Sequence, residues 1–111
     1  MRTIGKILQA IESSDAEAIV QYTSPYVQVS VLGKSTLISR AQSAYVLKAF
    51  FREYPPDGFT LERRLRVGQD WFVRGKYRHR DSDTPFQLEL QMRWNGERYE
   101  IKNILIDYLD R

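Results

Sequence analysis

The sequence predicts an α+β fold: three helices from the N-terminal half packed on one face of a strongly curved antiparallel sheet. Two observations carry this. Apolar residues recur at helical spacing in three stretches before Tyr54, whereas from Phe59 onward every long segment alternates with period two. The Pro55-Pro56 pair stands at the changeover.

Ile4, Ile7, Leu8 and Ile11 follow the i, i+3, i+4, i+7 pattern of a helix with one buried face. Ser14 opens S-D-A-E, read as a capping box with Glu17, so a second short helix should carry Ala18, Ile19 and Tyr22 inward. It should end before Ser24-Pro25. YVQVSVLG alternates through Val27, Val29 and Val31 and closes at Gly33, a strand, followed by a short connecting strand. Ser39 opens a second box, S-R-A-Q, for a third helix with the stripe Leu47, Phe50, Phe51 and Tyr54. Four strands follow in a meander, FTLERRLRV, WFVRGKYRHR, PFQLELQMRW and RYEIKNILIDYL, joined by GQD, DSDTP and NGE turns.

Composition bounds the class. At 111 residues the chain, read as a single domain over 1–111, can bury one core. Its 42% apolar and 28% charged residues are those of a globular protein. No apolar run approaches the ~20 residues of a membrane span. MRTIGKILQAIESSD reads as an amphipathic helix rather than a signal peptide. The absence of cysteine excludes disulfides, thiolate metal sites and cysteine nucleophiles.

Alternation also assigns the two sheet faces. The core face should hold Phe59, Leu61, Leu65, Val67, Trp71, Val73, Tyr77, Phe86, Leu88, Leu90, Met92, Trp94, Tyr99 and Ile101. After Ile101 the apolar positions become Ile104 and Ile106, so a one-residue bulge near Lys102-Asn103 is expected. The outer face should hold Glu62, Arg64, Arg66, Arg74, Lys76, Arg78, Arg80, Gln87, Glu89, Gln91, Arg93, Glu100 and Lys102.

AIESSDAEAIVQY, the valine-rich strand, SRAQSAYVLKAFFREYPPDGF and the ending ERYEIKNILI together resemble the nuclear transport factor 2-like (SnoaL-like) superfamily. Within it, the chain is most similar to a bacterial family of small uncharacterised proteins. The resemblance implies a cone in which a curved sheet wraps around three helices, often as a homodimer. It spans isomerases, dehydratases, carriers and scaffolds, so it does not choose an activity. Similar bacterial proteins are often exported; the sequence leaves localisation open.

No Asp or Glu falls on an expected inward position, which leaves the cone without the acid–base set that proton transfer needs. The expectation is a non-catalytic binding domain with no cofactor and no metal. The alternative is a pocket enzyme or carrier lined by Tyr45, Arg63, Trp71, Tyr77, His79, Trp94 and Tyr99. There His79, the only histidine, would be oriented by Asp81 or Asp83, or else rest partly exposed and bonded to its turn. Arg63, between Leu61 and Leu65, would hold an anion or snorkel to solvent. Homodimerisation is expected through the outer face near Arg64, Arg74, Arg78, Glu89 and Gln91, with a protein or small-molecule ligand as further partners. Nucleic-acid binding by that face is disfavoured, because Phe72 is its one aromatic.

Overall fold

The computed structural model describes residues 2–109; Met1, Asp110 and Arg111, part of the 1–111 reading, lie outside the described residues. The elements run α1 (Arg2–Glu12), α2 (Ala16–Val20), β1 (Thr23–Val31), β2 (Lys34–Ser39), α3 (Arg40–Glu53), β3 (Pro56–Val67), β4 (Asp70–His79), β5 (Phe86–Trp94) and β6 (Tyr99–Tyr108). The six strands form one sheet in the order β2-β1-β6-β5-β4-β3. This is the α+β arrangement of three helices on one sheet. The sheet is mixed rather than antiparallel, because β1 pairs with β6 in parallel. The chain reaches that parallel neighbour only after passing through α3 and the whole meander, a long crossover of the kind parallel pairing demands.

The helices form where their apolar spacing can be buried. Ile4, Ile7 and Ile11 of α1 are fully covered, and Ala44, Leu47, Phe50 and Phe51 give α3 its core stripe. At α3 the capping box is complete: the Ser39 hydroxyl accepts from the Gln42 N–H, and the Gln42 side chain accepts from the Ser39 N–H. The α2 cap differs from expectation. Asp15, not Ser14, is the N-cap, its carboxylate accepting from Ala18 N–H at 3.0 Å. Ser14 instead takes the left-handed φ of 59° that turns the chain out of α1.

Two of the sheet's register shifts decide which side chains face the core. In β6, Met92 pairs with Ile101 while Gln91 pairs with Asn103, so Lys102 is the extra residue and Ile101, Ile104 and Ile106 all reach the core. In β3, Leu61 faces Gly75 while Arg63 faces Arg74, which makes Glu62 an extra residue and reverses the phase of everything after it. Arg64 now pairs with Val73 and Arg66 with Trp71 on the helix-bearing inner face, while Arg63, Leu65 and Val67 join Arg74, Phe72 and Asp70 on the outer one. The assignments of Arg63, Leu65 and Val67 to the core face, and of Arg64 and Arg66 to the outer face, are therefore corrected. Beyond Phe59 all of β3 is exposed.

Candidate functional site

The inside of the cone is packed rather than hollow where the candidate pocket was expected. Tyr77 is fully buried, with Phe50 and Phe51 ring centroids at 5.3 and 6.2 Å. Its hydroxyl donates to the Tyr54 backbone carbonyl, tying β4 to the end of α3. Burial pushes that phenol well above the ordinary tyrosine range, so it serves as a fixed donor. His79 is buried too, stacked on Phe86 at 4.7 Å with its edge toward Tyr54. Its Nδ1 has no hydrogen-bond partner among the described residues. His79 is bonded to its turn, as expected, but through its backbone carbonyl, which accepts from Ser82 N–H at 3.5 Å. The side chain is buried rather than partly exposed, and Asp81 and Asp83 remain exposed without orienting its Nδ1. Tyr45 is also misplaced by the pocket reading. It lies on the solvent side of α3, 75% exposed, beneath the Lys48 ammonium.

The better-formed cavity lies on the opposite side of the sheet. A groove of about 510 Å³ runs across the outer face from β3 to β1. Its floor is apolar, with Leu65, Val67, Phe72 and Leu105 contributing side chains, and Arg63, Arg74, Glu89, Gln91, Asn103 and Ser30 supply the polar border. The β3 bulge builds this groove, because it turns Leu65 and Val67 outward beside Phe72. All three remain at least 40% exposed. Of the expected interface residues, Arg74, Glu89 and Gln91 line the groove, whereas Arg78 lies farther along β4, bonded to Thr60, and Arg64 is on the other face.

Residues 4–107 match the family described as a domain of unknown function, DUF4783. The chain belongs to that family. DUF4783 proteins from Bacteroides ovatus and Bacteroides uniformis superpose with TM-scores of 0.87 each, at 18% and 20% identity. The alignments cover 96% of this chain in both cases and 94% and 97% of theirs. A nuclear transport factor 2 design with a long sheet aligns at a TM-score of 0.78 and 14% identity, covering 95% of this chain and 96% of its own. The DUF4783 fold of this chain is thus nuclear transport factor 2-like. No curated protein matches the sequence.

Electrostatics hold the DUF4783 outer face in register. Arg74 pairs with Glu89 at 3.3 Å, and Gln87 donates to the same carboxylate. Asn103 donates to Gln91, Gln91 donates to Asp70, and Arg93 grips Asp70 at 2.7 and 3.0 Å. Side chains of β6, β5 and β4 are thereby chained together. The Arg93 guanidinium holds the Asp70 carboxyl below its usual range, and Arg93 is raised in turn. Arg63 makes no ion pair among the described residues.

A second, shallower cavity of about 350 Å³ opens at the far end of the inner face, lined by Arg66, Gln69, Trp94 and Tyr99. Trp94 and Tyr99 meet edge to face at 5.2 Å, and Trp71 lies beside Arg66 on the neighbouring strand. The pocket residues expected to act together are thus divided: Tyr77 and His79 in packed core, Trp71, Trp94 and Tyr99 at the sheet tip, Arg63 outside and Tyr45 in solvent. Among the described residues no group of three or more His, Asp or Glu gathers as a metal site. No described helix is long and apolar enough to cross a membrane.

Proposed function

We propose that the domain is a binding module that associates with a second copy of itself, outer sheet face against outer sheet face. The observation that carries this is the apolar floor of Leu65, Val67 and Phe72, left in water on the edge strand β3 and its neighbour β4, with both signs of charge around the groove. A two-fold axis requires a self-complementary patch. Here the cationic side, Arg63 and Arg74, comes from β3 and β4, and the side bearing Glu89, Gln91 and Asn103 comes from β5 and β6. Rotation about an axis through Phe72 would bring Arg63 of one copy, without an ion pair among the described residues, toward the Glu89 side of the other. An interface of ordinary size takes about 800 Å² per partner, a small share of the 6759 Å² surface of the chain. A ligand carried inside the cone gains no support from the aromatic packing there, and the inner strand positions offer no carboxylate for acid–base work.

Light scattering tests this reading. The wild-type chain is expected to run as a dimer at micromolar concentration, and Phe72→Asp as a folded monomer, since a charge at an exposed position disturbs the face and not the core. A wild-type monomer at high micromolar concentration, in both low and high salt, overturns it.

A further inference from the structure

The β3 bulge has a consequence on the inner face, distinct from the dimer surface. By moving Arg64 and Arg66 across the sheet, it sets two guanidinium groups beside Trp71, with Trp94 and Tyr99 one and two strands further on. The helices do not cover this end: Trp94 is 43% exposed, and both arginines are exposed. No inner-face strand position there carries a carboxylate, so positive charge stands beside the exposed Trp94 and the half-buried Trp71 and Tyr99, which also pack against the core. Arg66 is pre-oriented, its Nε donating to the Gly68 carbonyl at 3.2 Å, which leaves its terminal nitrogens free to bind. Arg64 makes no ion pair among the described residues.

We propose that this tip of the inner face binds single-stranded nucleic acid, with bases stacked on Trp94 and Trp71 and backbone phosphates paired with Arg64 and Arg66. Residues i and i+2 on one face of a strand lie about 6.7 Å apart, a spacing that suits successive phosphates of an extended strand. From β3 to β6 the platform spans three strand spacings, about 14 Å, room for a short run of nucleotides. Stacking on aromatic side chains, combined with a cationic track, is how proteins hold single strands without reading sequence. A duplex keeps its bases stacked on one another and cannot present them to Trp94.

Both tryptophans of the chain are in this platform, so intrinsic fluorescence reports directly on it. Titration with a ten-residue oligothymidylate is expected to quench the emission, and the matching duplex is not. Two neutralised phosphates should weaken affinity roughly 7-fold between about 50 and 200 mM salt. Trp94→Ala should weaken it about 5- to 150-fold, and Arg64→Gln with Arg66→Gln should flatten the salt dependence. Phe72→Asp should bind as wild type, which separates this site from the dimer face. No quenching by the oligothymidylate overturns the proposal. So does equal or tighter binding of the duplex or of a polyuronate, and so does a double arginine variant with unchanged affinity and salt slope.

Discussion

Gly75 pairs with Leu61 across the β3–β4 ladder, and a side chain there would collide with the ring of Phe59, two residues along β3, and come within 2.5 Å of the Thr60 carbonyl oxygen. Because the second obstacle is backbone, it cannot rotate away. Gly75→Ala should destabilise the fold by ~1–3 kcal/mol, the usual range for overpacking, read from the shift of the urea midpoint. A variant as stable as wild type would show that β3 can move aside. Asp70 makes a different residue-scale prediction. Its folded-state pKa is depressed by Arg93 and Gln91, so its stabilisation is present above the unfolded carboxylate value, about 3.9. That contribution is lost as pH falls through the folded value. Asp70→Asn should therefore be less stable than wild type near neutral pH and converge with it in acid. A stability gap that stays constant with pH would assign the loss to packing instead.

Among the elements, α3 and β3 show how legibility depends on pattern. The S-R-A-Q box was readable because both of its hydrogen bonds are local, made within four residues. Ser39→Ala should remove one of them and cost ~1 kcal/mol, measurable by thermal unfolding; an unchanged midpoint would show that packing of α3 alone holds its first turn. The bulge at Lys102 was readable because the core demanded it: Ile101 and Ile104 cannot share a face in an unbroken strand. The bulge at Glu62 was not. Leu61, Leu65 and Val67 stay in phase across it, with Arg63 the one charged residue in that series, so alternation implies one continuous face. The phase flips only because β4 pairs with β3 one residue out of step beyond Gly75. One extra residue thus exchanged Arg63 with Arg64 and Arg66, and with them the composition of both candidate surfaces.

At the scale of the whole molecule, the aromatic cluster of Phe50, Tyr54, Tyr77, His79 and Phe86 fills one end of the cone, and binding surfaces are left at the other end and outside. The outer groove and the inner tip lie on opposite faces of β3 to β6, the groove reaching on to Ser30 of β1. Association through the first would leave the second open, and the two proposals can fail independently. By itself the sequence determined the three helices, the meander, the cap of α3, the bulge in β6 and the fold family, because each follows from local spacing or from an apolar set that must reach one core. Tertiary structure alone decided the parallel pairing of β1 with β6, the burial of His79 and the faces of Arg63, Arg64 and Arg66. Those depend on which backbone groups pair across strands distant in sequence, and an exposed strand with apolar residues on both sides leaves no mark of that pairing in its own alternation.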